Sequence, residues 1–163
     1  MIKVLFVCLG NICRSPMAEG IFQHLVEENE LQDQISCDSA GMISFHQGEL
    51  PDKRMRNTAS KNGITLTHRS RPFTGKDFQA FDYIIAMDKK NLKDIQILEE
   101  KGKGQKYKLM MMRDFDRNES GSDVEDPYYK SDVGFDNCYQ VLMESNQNFL
   151  NYLVLEHGLT PKN

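Results

Sequence analysis

The sequence predicts an α/β fold: a four-stranded parallel sheet flanked by helices on both faces. Three observations predict it. The chain opens with an apolar run, Ile2 to Val7, interrupted only by Lys3 and closed by the turn signal Gly10-Asn11. Such a run suits a strand buried on both faces, as parallel sheets require. Strand-like and helix-like segments then alternate along the chain, the order of successive β-α-β units. Finally, 163 residues with 39% hydrophobic side chains fit one domain, residues 1–163, able to build a core without disulfides.

Each element has its own signals. After the first strand, Pro16 to Glu30 reads as a helix, with Ser15 as its N-cap and Pro16 at its first position. Ala18, Ile21, Phe22 and Leu25 recur at helical spacing and form its apolar face. Ile35 to Ala40 is the second strand. Pro51 opens a second helix that ends at Asn62-Gly63, where glycine supplies the stop. Phe81 to Met87 is the third strand, and Asp88 caps a helix running through Glu100. Lys101 to Lys106 is a basic, solvated turn. Tyr107 to Met112 is the fourth strand. The polar loop from Arg113 to Asp132 is long enough to mark a functional segment. A final helix spans Phe135 to Glu156, with Cys138, Leu142, Phe149, Leu150 and Leu153 facing the core.

Composition excludes several classes. Twenty basic residues against twenty-four acidic ones leave a net charge of −4. That is no electrostatic footprint for nucleic acid, so an anion site must be built locally. No stretch approaches the roughly 20 apolar residues of a membrane span, and the apolar opening carries no cleavage pattern. The four cysteines, at 8, 13, 37 and 138, form neither a Cys-x-x-Cys pair nor a disulfide framework. Sparse free thiols of this kind suit a cytoplasmic protein. Cys37 and Cys138 read as core fillers.

One segment concentrates the chemistry: Cys8-Leu9-Gly10-Asn11-Ile12-Cys13-Arg14-Ser15. It leaves a strand at its C-terminal end and enters a helix, where open parallel sheets place their ligands. A loop that wraps one turn there aims successive N–H groups at a single anion. Gly10 allows close approach, and Asn11 tolerates a left-handed backbone. Arg14 supplies a planar fork for two phosphate oxygens. A thiol beside a helix N-terminus and an arginine is activated toward thiolate, so Cys8 reads as a nucleophile. Ser15 can donate a hydrogen bond to that sulfur when it departs. A nucleotide loop of the Gly-x4-Gly-Lys-Ser/Thr type is absent.

The string Val4 to Pro16 resembles the signature of the low-molecular-weight protein tyrosine phosphatases. Asp38-Ser39-Ala40-Gly41, His68-Arg69-Ser70-Arg71, Phe81-Asp82-Tyr83-Ile84 with Met87-Asp88, and Asp126-Pro127-Tyr128-Tyr129 match in order. Lys130, where the family often has glycine, and Pro72 depart from the pattern. The resemblance implies a Rossmann-like, flavodoxin-like sheet, the phosphotyrosine phosphatase I fold. It also implies two-step hydrolysis through a cysteinyl-phosphate, with no metal and no cofactor. Leu9 to Ser15 would bind the phosphate. Residue chemistry alone leaves the general acid open among Asp114, Asp116, Asp123, Glu125 and Asp126; the resemblance selects Asp126. Asn11, Ser15, Ser39 and His68 would hold the loop in shape. Cys13 would guard Cys8 by forming a reversible disulfide.

The expected substrates are phosphotyrosine proteins or small aryl phosphates, with inorganic phosphate or similar oxyanions as ligands and the enzyme a monomer. Ile12 offers an apolar contact where the related protein arginine phosphatases typically carry threonine, so it points to phosphotyrosine. Phe45, Tyr128 and Tyr129 would wall the cleft, Phe45 by stacking on the substrate ring. Three alternatives compete with this reading. An arsenate reductase on this fold needs relay thiols, and Cys37 and Cys138 lack that spacing. A protein arginine phosphatase and a silent phosphate-binding module are the others.

Overall fold

A computed structural model describes residues 1–99 and 106–162. Ten elements follow in order: β1 (Ile2–Cys8), α1 (Arg14–Glu28), β2 (Ile35–Gly41), α2 (Lys53–Lys61), α3 (Asp77–Ala80), β3 (Tyr83–Ala86), α4 (Lys89–Leu98), β4 (Lys108–Met111), a 3-10 turn (Met112–Phe115) and α5 (Asp132–His157). The four strands form one parallel sheet in the order β2-β1-β3-β4. The register pairs Cys8 with Gly41 and Val7 with Ala86. The loop after β1 therefore leaves the centre of the sheet.

Alternation along β1 divides the core in two. Val4, Phe6 and Cys8 face the layer that holds α1 and α5, while Leu5 and Val7 face the layer holding Phe73 and Ile95. Both faces are sealed from Val4 to Val7, which is why that stretch carries no polar residue, whereas Lys3 lies at the exposed start of the strand. In the larger layer, Phe22 stacks on Phe149 at 5.3 Å between centroids, and Phe6 meets Phe22 edge-on at 5.5 Å. These rings fix α1 against α5 and β1. Truncating Phe149 to alanine would cost about 3–5 kcal/mol, the range for a buried aromatic.

Several boundaries differ from the sequence reading. α1 begins at Arg14, with Cys13 rather than Ser15 at its N-cap and no side-chain cap bond. The Ser15 hydroxyl is taken by the Cys8 sulfur instead. Pro16 still falls in the first turn, where its missing N–H costs nothing. α2 starts after Pro51, because Asp52 caps it by accepting from the Arg54 N–H. Gly63 does end it, with φ at +77°. Asp88 caps α4, as expected, by accepting from the Asn91 N–H at 2.7 Å. α5 starts three residues before Phe135, with Ser131 as N-cap. α3 carries no sequence signal beyond four residues of helical turn. Residues 100–105 lie outside the described residues, and with them the end expected for α4 at Glu100 and all but Lys106 of the basic turn. Among the described residues, no helix is long and apolar enough to cross a membrane.

Candidate active site

The site is built around the turn between β1 and α1. Asn11 adopts a left-handed backbone, φ +56°, and its N–H donates to Cys8 Sγ at 3.3 Å. Ser15 Oγ lies 3.0 Å from the same sulfur. Cys8 is 2% exposed, so these contacts form in a nearly water-free space. The Asn11 side chain makes four bonds. Its Nδ2 donates to Ser15 Oγ at 2.8 Å and Ser39 Oγ at 3.0 Å. Its Oδ1 accepts from His68 Nε2 at 2.8 Å and from the Arg71 N–H at 3.0 Å. A fully satisfied buried amide of this kind holds one conformation. The structure thus gathers Asn11, Ser15, Ser39 and His68 into one hydrogen-bonded network.

Gly41, opposite Cys8, closes the turn from behind. A Cβ there would lie 2.9 Å from the Leu9 carbonyl oxygen and 3.0 Å from the Asn11 nitrogen. β2 must therefore end in glycine for the loop to pack. The Leu9 carbonyl also accepts from the Ile43 N–H, and Ser70 Oγ donates to the Gly10 carbonyl.

Arg14 reaches across to the far side. Nη1 donates to Asp88 Oδ2 at 2.7 Å and to the Val124 carbonyl at 3.0 Å, and Nη2 lies 3.5 Å from Asp126 Oδ2. Burial opposes the guanidinium charge, but the Cys8 sulfur, Asp88 and Asp126 together hold its pKa above the ordinary value. Its Nε is buried and has no hydrogen-bond partner. A buried cation with an unused donor has the chemistry to hold an oxyanion.

Of the five acids that residue chemistry left open, four are engaged away from the cleft. Asp114 accepts from the Met111 N–H, and Asp123 from the Lys89 N–H. Asp116 accepts from Arg113 and from two backbone N–H groups, and Glu125 pairs with Lys130. Asp126 alone of the five lines the cavity that holds Cys8 and Arg14, and it is 43% exposed. Its Oδ1 accepts from the Tyr128 N–H at 3.1 Å. The start of its loop is tied to the residue just beyond β3 by the Val124 N–H to the Met87 carbonyl.

That cavity holds about 340 Å³. Its floor is Cys8, Leu9, Gly10, Ile12, Cys13 and Arg14, and its walls are Ile43, Phe45, His46, Asp126, Tyr128 and Tyr129. Phe45 is 81% exposed and Tyr129 95%, so both stand at the rim with most of their rings in water. Ile12 is buried in the floor. Cys13 is buried beside it, and burial with the nearby Asp52 and Cys8 pushes its thiol pKa up. All four cysteines are free thiols; Cys138 is buried, whereas Cys37 is only partly covered. Lys130, one of the two departures, pairs with Glu125 outside the cavity.

Sequence reasoning missed several participants. Asp88 reads as a helix cap and is one, but its second carboxylate oxygen holds Arg14. His46 carries no local signal, yet its ring sits between Phe45 and Tyr128. Glu19, on α1, stands outside every motif of the sequence, but it accepts from Ser39 Oγ at 2.6 Å. Burial pushes its carboxyl up to about 7, against the pull of the Ser39 hydroxyl. Burial likewise holds His68 below its ordinary value, with Asp38 pulling the other way.

Comparison with known proteins agrees with this geometry. Residues 3–158 match the family model described as low molecular weight phosphotyrosine protein phosphatase. The chain is 43% identical over 150 residues to the low molecular weight phosphotyrosine protein phosphatase of Schizosaccharomyces pombe, covering 91% of this chain and 95% of that one. It superimposes on a crystal structure of protein tyrosine phosphatase from Entamoeba histolytica with a TM-score of 0.88, at 37% identity, covering 97% and 99% of the two chains. It also superimposes on a crystal structure of a Drosophila arginine phosphatase with a TM-score of 0.86, at 36% identity, covering 93% and 97%. A strand-end cysteine facing a buried arginine, on a sheet shared with these enzymes over nearly the whole chain, places the protein in the low-molecular-weight phosphotyrosine phosphatase family, whose members hydrolyse phosphate monoesters.

Proposed function

We propose that Cys8, Arg14 and Asp126 carry out the hydrolysis, and that the preferred substrate is protein phosphotyrosine. The observation that carries this reading is the convergence of the three side chains on one 340 Å³ cavity. Cys8 Sγ attacks phosphorus and forms the S–P bond as the ester P–O bond breaks. The loop N–H groups of Leu9 to Ser15 and the Arg14 fork take the equatorial oxygens, where charge is held through the transition state. Asp126, protonated, gives its proton to the departing phenolate. Its carboxylate then takes a proton from water, which attacks the cysteinyl-phosphate and releases inorganic phosphate and the thiolate. Ser15 Oγ, 3.0 Å from the sulfur, stabilises that thiolate.

Three features support an aryl ester. Ile12 gives the floor an apolar contact, and Phe45 and Tyr129 offer exposed ring faces at the mouth. Tyr128 and Tyr129 meet edge-on at 4.8 Å and form a flat wall beside Asp126. Cys13 lines the same cavity as Cys8 and supports the disulfide-guard role. The thiol nucleophile suits a reducing, cytoplasmic setting. We read residues 1–163 as one catalytic domain working as a monomer on phosphoproteins.

The decisive experiment is Cys8→Ser assayed on an aryl phosphate. Turnover should vanish while inorganic phosphate still binds; retained turnover refutes the nucleophile. For the substrate, Ile12→Thr should raise activity on phosphoarginine relative to phosphotyrosine. An unchanged ratio removes Ile12 from the specificity argument.

A further inference from the structure

Arg54 stands on α2, outside the catalytic cavity, and joins two of the segments that build it. Its fork closes on Asp52: Nε donates to Oδ1 at 3.1 Å and Nη2 to Oδ2 at 2.9 Å. Asp52 Oδ1 also accepts from the Arg54 N–H at 2.8 Å, the bond that caps α2. These bonds hold the Asp52 carboxyl below its ordinary value, against the opposing effect of burial. Asp52 is in turn fixed to the anion loop, because its N–H donates to the Ile12 carbonyl at 2.8 Å.

The guanidinium so oriented meets two rings. Its central carbon lies 5.5 Å from the centre of the Tyr128 ring and 4.6 Å from that of Phe135. Both fall within the ~6 Å reach of a cation–π contact. Phe135 is fully buried at the start of α5 and gives the guanidinium a fixed support. Tyr128 belongs to the acid loop, and its N–H donates to Asp126 Oδ1 at 3.1 Å. A line of contacts therefore runs from the Ile12 carbonyl through Asp52, Arg54 and Tyr128 to Asp126.

The acid loop needs such a tie. Asp126 is 43% exposed, and Arg14 Nη2, at 3.5 Å, stands at the limit of hydrogen-bond distance. The pair Glu125–Lys130 and the bond from the Lys130 N–H to the Pro127 carbonyl join the loop to itself and not to the body of the protein. Arg54 reaches it from α2. A lysine could not replace it, since an ammonium cannot hold both Asp52 oxygens and present a plane to a ring.

We propose, resting on Asp126 as the general acid, that Arg54 is a positioning residue that holds Tyr128, and through it Asp126, in register with the anion loop. Proton transfer needs the carboxyl within hydrogen-bond reach of the departing oxygen. A misplacement of about 1 Å in such a site can cost roughly 10²-fold in rate. Loss of Arg54 is therefore felt where the departing oxygen needs a proton. Phosphate binding is left intact, because the Asp52 N–H that supports the anion loop is backbone.

The test is kcat/KM of the full chain on phenyl phosphate and on dinitrophenyl phosphate, with inhibition by inorganic phosphate alongside. The ratio kcat/KM reports transfer to Cys8, the step in which the ester bond breaks. Arg54→Met should lose roughly tenfold on phenyl phosphate, but about twofold or less on the dinitrophenyl ester and in phosphate affinity. In an Asp126→Asn background the same substitution should cost nothing further, because the carboxyl it positions is gone. Tyr128→Leu removes the ring while leaving the Arg54–Asp52 pair in place, and should reproduce the selective loss; it decides the case should Arg54→Met fail to fold. Equal losses on both esters, phosphate affinity falling in step with turnover, or additive losses in the double variant would each overturn the positioning role. The Asp126→Asn variant separates the two readings. Its own loss confined to phenyl phosphate, beside an unselective Arg54→Met, refutes Arg54 alone, whereas equal losses in Asp126→Asn refute the acid and the positioning role together.

Discussion

Arg14 Nη1 donates to Asp88 Oδ2 at 2.7 Å, joining the first residue of α1 to the second residue beyond β3. The same carboxylate caps α4 through Oδ1. One side chain thus holds Arg14, the proposed phosphate clamp, and starts a helix, and substitution can separate the two roles. Asp88→Asn keeps an acceptor for the cap but discharges the pair. We expect kcat on an aryl phosphate to fall about tenfold, the effect of one charge-assisted hydrogen bond. Asp88→Ala should lose the cap as well, a further ~1 kcal/mol read by chemical denaturation. Equal stability of the two variants would show that Asp88 contributes no cap.

Asp126 sits at the open side of the cavity, 3.5 Å from Arg14 Nη2. As the proposed general acid it should matter most where the departing oxygen is basic. Asp126→Asn should slow phenyl phosphate by roughly 10²-fold or more. Esters of acidic phenols, which leave without a proton, should lose much less. A leaving-group series in wild type and variant measures this; parallel lines would remove Asp126 from the proton transfer.

Gly41 has no room for a side chain, since its Cβ would press on the Leu9 carbonyl and the Asn11 nitrogen. Both neighbours are backbone and cannot rotate aside. Gly41→Ala should cost about 1–3 kcal/mol, the usual price of overpacking. It should also lower phosphate affinity, because the displaced atoms belong to the anion loop. Denaturant unfolding and phosphate titration, run together, check both.

Asp116 anchors the loop that leads to Asp126. Burial alone would raise its carboxyl. The Glu119 N–H, the Arg113 guanidinium and the Asn118 N–H outweigh burial and hold it below the ordinary carboxylate value. The sign follows from linkage. A carboxyl lowered in the folded state stabilises fully above its unfolded pKa, about 3.9, and loses that contribution as pH falls through the folded value. Asp116→Asn should therefore destabilise by about 1–3 kcal/mol near neutral pH. The gap between wild type and variant should close below about pH 3.9. Thermal unfolding from pH 6 to 2 reads this directly.

The sequence by itself determined the α/β layout, because burial on both faces leaves β1 no polar residue from Val4 to Val7. It also determined the loop that carries the candidate nucleophile, since Cys8, Gly10, Asn11, Arg14 and Ser15 fall within eight consecutive residues and their spacing is their geometry. Boundaries slipped where a side chain had two uses. Ser15 looks like a cap but serves the Cys8 sulfur, and Asp88 is a cap that also holds Arg14. Tertiary structure decided what spacing could not encode. It separated Asp126 from four neighbouring acids by giving each of those another partner. It brought His46 to the cleft wall and carried Glu19, Asp38 and His68, from three separate segments, to within 4.8 Å. Such meetings depend on strand order and on the crossing of helices over the sheet, so only the folded chain contains them.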